Sequence, residues 1–270
     1  MPVITISRGT LSGGQNLAEC VALKLGYRII SREVLVEAAR QYGVEVEKLT
    51  AALEQPPGFL ERFSLERHRY LAFIRAYLVE AVRNGNVVYH GHAGHFLLRD
   101  FPGVLRVRII ANMEYRIKAA MERYGFDRRK AIEYIQKKDA ERVRWTRFLY
   151  HVNWLDPLLY DVVINLDEVS LSTACQMVCD AALSAEFQGK LSPIEREIED
   201  VILAAKVKAA IAADGTIGDR NLDIKAHEGI VSLEGTVESL DEADKVRMLV
   251  RTMPGVKDIE SKMSVNGPHW

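Results

Sequence analysis

The stretch Val3-Ile4-Thr5-Ile6-Ser7-Arg8-Gly9-Thr10-Leu11-Ser12-Gly13-Gly14-Gln15-Asn16 constrains this chain more than any other. A β-branched run feeds a glycine-rich turn, and Leu17, Ala18, Val21, Ala22 and Leu25 then recur at helical spacing. Strand, tight turn and helix N-terminus make an anion cradle. Backbone N–H groups converge there, the helix dipole favours negative charge, and glycine admits a close approach. Gly9 to Gly14 fits the spacing of the pattern G-x-x-x-x-G-K-[ST], but Gln15 and Asn16 fill its last two positions. Neutral Gln15 stands where lysine is usual, and Asn16 where Ser or Thr meets magnesium. The opening therefore predicts a nucleotide-phosphate site with altered equipment, its binding residues being Gly9, Ser12, Gly13, Gly14, Gln15 and Asn16.

Composition sets the bounds. The 270 residues, 48% hydrophobic and 27% charged, suffice for a medium domain plus a small one. A formal net charge of -1 gives no general case for nucleic-acid or membrane binding. The N-terminus enters a strand directly, without a signal-peptide pattern, and no apolar run approaches the roughly 20 residues of a membrane span. Three cysteines make no disulfide framework, and Cys175 and Cys179, one helical turn apart, read as buried small apolar residues rather than a metal pair. The expectation is a cytoplasmic, reduced chain with no nucleic-acid partner and no transmembrane segment.

Strand and helix signals alternate along the first part. Strands are expected at Val3 to Ser7, Tyr27 to Ile30, Val87 to His90, Val104 to Ile110 and Asp161 to Asn165. Helices are expected over Leu17 to Leu25, after a capping Ser31, from about Leu60 to Val82, at Arg116 to Tyr124 and Arg128 to Lys138, and at Leu171 to Ala185. This alternation predicts an α/β fold with a parallel sheet covered on both faces. Residues 188–195 read as a linker. The next segment gives an amphipathic helix at 196–213, two alternating strands around the turn His227-Glu228-Gly229, a helix from Leu240 and a last strand from Val256 to Val265. That is a small α+β module, so the expected domains are 1–187 and 196–265.

Between Met113 and Tyr150 lie 11 Lys and Arg residues against 6 Asp and Glu. Most such runs are solvated helical faces. With a phosphate cradle upstream, the same run reads as an arm that closes over a polyphosphate, because the planar guanidinium fork pairs with phosphate oxygens and stays charged. His90, His92 and His95 invite a zinc reading, but no Cys or carboxylate stands at ligand spacing, and no metal site is assigned to them. Trp145, Phe148, Tyr150 and Trp154 read as packing between arm and core.

Several motifs, in order, resemble those of the cytidylate-kinase-like proteins, a branch of the P-loop nucleoside monophosphate kinases. They are Ser7-Arg8, Ser12-Gly13-Gly14, Ser31-Arg32-Glu33-Val34-Leu35, Val87-Val88-Tyr89-His90-Gly91-His92-Ala93, Lys138-Asp139-Ala140-Glu141-Arg142 and Tyr160-Asp161-Val162-Val163-Ile164-Asn165. The resemblance covers about residues 1–187 and implies a P-loop kinase-like sheet, with ATP and Mg2+ as phosphoryl donor and a CMP-like monophosphate as acceptor. It implies a catalytic set of Arg142, Arg147 and Asp139, and an acceptor set of Arg32, Gly91 and His92. Gln15 departs from the arginine often found there, Ser31 from an acid and His92 from an arginine. Residues 196–265 resemble a BON domain, carried by Ile230-Val231-Ser232-Leu233-Glu234-Gly235-Thr236-Val237 and Pro254-Gly255-Val256-Lys257-Asp258-Ile259, which implies a ligand- or partner-binding module. Two further readings stand beside an active kinase. In one, loss of the cation at Gln15 leaves a nucleotide sensor whose output passes through the BON-like module. In the other, that module is the functional core and the rest its scaffold.

Overall fold

The computed structural model describes residues 2–54, 65–91, 93–188, 191–215, 217 and 222–265. Five parallel strands form the larger sheet: β1 (Val3–Arg8), β2 (Arg28–Ile30), β3 (Val87–Tyr89), β4 (Val104–Ile110) and β5 (Val162–Asn165), in the order β2-β3-β1-β4-β5. Side chains alternate across the sheet, so each strand feeds two cores. Val3, Val87, Tyr89 and Val104 face one core, and Ile4, Ile6, Val88, Leu105, Val107 and Ile109 the other. The first core is completed by α2 (Glu33–Tyr42), α3 (Val46–Glu54) and α4 (Leu65–Ala81). The second is completed by α1 (Gly14–Leu25) and α8 (Leu171–Ala182). Between them in the chain come α5 (Gly94–Leu97), α6 (Met113–Tyr124) and α7 (Arg128–Tyr150). The sheet order reverses at β1, and in open parallel sheets that reversal opens a crevice at the strands' carboxyl ends. The glycine turn sits there.

Several elements differ from expectation for local reasons. Helix α7 runs to Tyr150 rather than Lys138, because no Gly or Pro interrupts it before His151 takes a left-handed φ of 54. Helices α3 and α5 were not expected; α3 forms because Leu49, Ala52 and Leu53 share one buried stripe. The cap of α2 is Arg32, while Ser31 donates its N–H and hydroxyl to the Glu33 carboxylate at 2.8 and 3.0 Å. The helix expected from Leu60 is described from Leu65, the preceding residues lying outside the described set.

Residues 188–195 do not form a linker throughout. Helix α9 (Leu191–Asp214) begins inside that span, and Pro193 falls in its first turn, where a missing N–H breaks no helical bond. Its two apolar faces go to different cores. Ile202, Ala205, Ala209 and Ala212 join α4 in the first core. Leu203, Val207 and Ile211 cover a second sheet formed by β6 (Leu222–His227), β7 (Ile230–Val237) and β8 (Asp258–Val265), packed also by α10 (Leu240–Arg251). Strands β6 and β7 form a hairpin whose two turn residues, Glu228 and Gly229, have φ of 50 and 86, as the tightest hairpin turns require. Strand β8 lies parallel to β7, with α10 as the crossover.

Cys175 and Cys179 are buried as expected, but the expectation of no disulfide fails. Cys20 on α1 and Cys175 on α8 are joined by a disulfide with a Cα–Cα distance of 6.1 Å, and Cys179 is free and buried. The pairing arises because the two helices pack side by side on one face of the sheet. The reduced state expected from composition therefore does not hold for two of the three cysteines. No helix among the described residues is long and apolar enough to cross a membrane.

Candidate active site

The turn after β1 is shaped from within. Leu11 and Gly13 both take left-handed conformations, with φ of 61 and 82. A side chain at Gly13 would meet Leu166 Cδ1 at 2.9 Å and the Tyr115 hydroxyl at 3.0 Å. Ser12 is fully buried, and its hydroxyl lies 3.0 Å from the Gly9 carbonyl and 3.1 Å from the Ile109 carbonyl, both acceptors. It therefore pins the loop to the end of β4 instead of facing a ligand. Gly9 is likewise buried. Gly13, Gly14, Gln15 and Asn16 line a cleft of about 460 Å³, where the first amides of α1 lack intrahelical acceptors. Four of the six residues expected to bind line this cleft.

A second cleft of about 660 Å³ is lined by Arg32, Gly91 and His90 and shares Arg8, Gln15, Arg123, Tyr134 and Arg142 with the first. The two clefts thus meet over the glycine turn. Arg32 is largely exposed and pairs with Glu54 at 3.5 Å, while His92 lies outside the described residues. Burial, with Arg8 adding to it, lowers the pKa of His90. His95 is turned into the protein against Tyr160, and burial pushes it down to about 3, so it is neutral at physiological pH. Trp145 is also buried, its indole donating to the Ala52 carbonyl at 3.0 Å, and Tyr150 stacks on Phe96 at 4.3 Å, as packing between arm and core requires.

Asp139 and Arg142 are neighbours on α7 with different tasks. The Asp139 carboxylate accepts the Thr10 N–H at 3.1 Å and the Thr10 hydroxyl at 2.8 Å, and it pairs with Arg116. Arg116 in turn donates to the Thr10 carbonyl at 2.8 Å. Asp139 thus holds the loop through Thr10 and Arg116. Arg142 donates to the Arg8 carbonyl at 2.8 Å and lines both clefts. Burial lowers its pKa to about 10, opposed by the nearby Asp139 charge, so it remains a cation at neutral pH. Arg147 is exposed and outside the lining of either cleft, because it lies beyond the turn of α7 that meets the loop.

Gln15 is exposed on the lining of both clefts, where its amide donates to Glu19 at 3.0 Å. The place near the helix N-terminus is taken by Arg8. A Cβ added at Gly14 would lie 2.6 Å from Arg8 Cδ and 2.8 Å from Arg8 Cβ, so the arginine stem lies across that glycine. Its guanidinium donates to the His90 carbonyl at 2.5 Å. Gly14→Ala is therefore expected to displace Arg8 and lower turnover by about 10²-fold, the order of a 1 Å misplacement, with little loss of thermal stability. Steady-state kinetics beside thermal unfolding checks this.

The donor set fits a magnesium ion held mostly by nucleotide phosphates and water, because exposed Asn16 offers one neutral oxygen at the loop. No group of three His, Cys, Asp or Glu residues gathers as a metal cage among the described residues.

Residues 3–168 match the model of the cytidylate kinase-like family, and residues 199–267 match the BON domain. A cytidylate kinase of Methanopyrus kandleri is 25% identical over 175 residues, covering 60% of this chain and 83% of that protein. Osmotically-inducible protein Y of Escherichia coli is 27% identical over 64 residues, 24% of this chain. The match spans only 32% of that protein's length. An uncharacterized protein from Eubacterium ventriosum shares the fold of the larger part, with a TM-score of 0.54 at 22% identity, over 68% of this chain and 100% of that one.

Proposed function

The chain belongs to the cytidylate kinase-like family, and on that premise we propose that it transfers the γ-phosphoryl group of ATP to a nucleoside monophosphate of the CMP type. The observation that carries this reading is the junction of the two clefts at Arg8 and Arg142. A donor on the glycine turn and an acceptor beside Arg32 and Gly91 would meet there. An acceptor phosphate oxygen attacks the γ-phosphorus as the bond to the β–γ bridging oxygen breaks, and ADP leaves. The protein's part is positioning and charge: α1 amides hold the donor phosphates, and the two guanidiniums face the transferring group. Asn16 would offer a protein oxygen to a bound magnesium ion, which would supply further charge neutralisation.

Arg8 takes over the role that lysine usually has at position 15. Arg8→Met is expected to lower kcat by about 10²–10³-fold, as loss of one preorganised donor does. Adding Gln15→Lys in that background restores part of the loss if the two positions serve one role. A sensor that binds without turnover is the second reading, favoured by the bond that ties Gln15 to Glu19. The BON-like part is proposed as the ligand- or partner-binding module. A coupled assay with ATP–Mg against CMP, dCMP, UMP, AMP and GMP, run beside calorimetry, tests the assignment. Turnover greatest with a pyrimidine monophosphate supports it. Binding of both nucleotides without turnover selects the sensor.

A further inference from the structure

The second sheet has a free edge. Strand β8 pairs with β7 on one side, and no strand among the described residues lies beyond it. Helix α9, which joins the larger core, packs against β6 at the opposite edge, so β8 is the edge turned away from the larger sheet. The hairpin fixes which backbone groups of β8 point outward. With two residues in its turn, His227 and Ile230 form a hydrogen-bonded pair, so Ile230 and every second residue after it serve β6. Val231, Leu233 and Gly235 then serve β8, which leaves the N–H and C=O of Ile259, Ser261 and Met263 facing away from the sheet. The Ile259 N–H, lacking a strand to meet, donates to the Asp258 carboxylate at 2.8 Å. Such an unpaired row is a template for another strand.

The side chains select which strand. Ile259 and Met263 are half-buried against the core of the second sheet, and Arg247 of α10 reaches the Ser261 hydroxyl at 3.4 Å, so these residues share the helix-covered face. Asp258, Glu260, Lys262 and Ser264 alternate with them and lie exposed on the other face. Lys262 pairs with Glu234 at 2.8 Å, while Glu260 has no ion pair among the described residues. An ammonium carries three donors, so Lys262 can serve a second carboxylate as well.

Laid antiparallel on a second copy of itself, β8 must match outward backbone groups to outward ones, which leaves few registers. Centring Ser261 on a two-fold axis sets Glu260 opposite the partner's Lys262 and Ile259 opposite the partner's Met263, each contact made twice. Glu260 and Lys262 then fall at non-hydrogen-bonded positions, where facing side chains come closest. The next register in one direction opposes Glu260 to its own copy, and the next in the other direction opposes Lys262 to its own copy. One pairing is therefore favoured, and its neighbours are penalised by like charge.

We propose that β8 is the surface through which two copies of this chain associate, joining their second sheets into one continuous sheet about a two-fold axis at Ser261. The partner is a second copy because one short strand supplies both the acid and the base that answers it. The proposal does not depend on the phosphoryl-transfer reading. A strand edge buries less area than a permanent interface, so the dimer forms and parts with concentration.

Sedimentation velocity of the full chain over a micromolar concentration series tests this. The wild-type chain is expected to pass from monomer to dimer as concentration rises. Glu260→Lys and Lys262→Glu, both at exposed positions, are each expected to weaken self-association about tenfold or more, since like charges then face each other twice. An equimolar mixture of the two variants is expected to regain the dimer, because each chain supplies the charge the other lacks; that recovery also shows that both variants fold. A wild-type chain that stays monomeric throughout the series overturns the proposal. So does a dimer that both variants keep, or one that their mixture fails to regain.

Discussion

Arg142→Ala is expected to lower kcat for phosphoryl transfer by about 10³-fold or more, the range seen when an arginine facing a transferring phosphoryl group is lost. The expectation follows from placement. Arg142 is held by the Arg8 carbonyl at 2.8 Å, sits 3.9 Å from Asp139 and lines both clefts. Its charge is more effective for being partly buried, because less water screens it. Arg142→Lys is expected to recover little, since an ammonium cannot reproduce the planar fork. Arg147→Ala, in the same helix but exposed, is expected to leave kcat within about twofold, as surface substitutions do. Kinetics on the three variants checks the set, with unfolding temperatures to confirm that each folds. A loss at Arg147 equal to that at Arg142 would return the effect to general charge.

The second large effect concerns stability. Ala209→Glu on α9 is expected to cost about 3 kcal/mol or more, the scale of an unpaired charge forced into a core. Ala209 is 1% exposed and belongs to the core shared with α4, not to the core of the second sheet. Lys206 pairs with Glu80 at 2.7 Å along the same seam, and Arg83 pairs with Glu199. Cutting the chain after Gln188 removes that whole face and leaves the apolar side of α4 bare. The shortened chain is expected to melt at a lower temperature and to aggregate, checked by thermal unfolding and light scattering. Unchanged melting would mean that α9 adds nothing to the first core. Lost activity in the shortened chain therefore does not by itself assign catalysis to the BON-like part.

What was legible in the sequence was local. The strand, glycine turn and helix of the opening follow from neighbouring residues, as does the Glu228-Gly229 hairpin turn. What escaped depends on partners far along the chain. Ser12 turns inward because its partner, the Ile109 carbonyl, is 97 residues away. Asp139 serves Thr10 across 129 residues, and Cys20 meets Cys175 across 155. Ala205 and Ala209 fall inside the helix expected at 196–213, and only the packed fold shows them as a second contact stripe. Arg8 was visible as a cation beside the turn, yet its path across Gly14 is a fact of geometry.

The account stands most directly on where the γ-phosphoryl group goes. Phosphorus-31 NMR of the full chain with ATP–Mg and CMP would follow it. The account predicts ADP and CDP appearing in equal amounts, with neither formed by Arg142→Ala on the same timescale. ADP with inorganic phosphate and no CDP, or unchanged ATP in the presence of bound CMP, would contradict it.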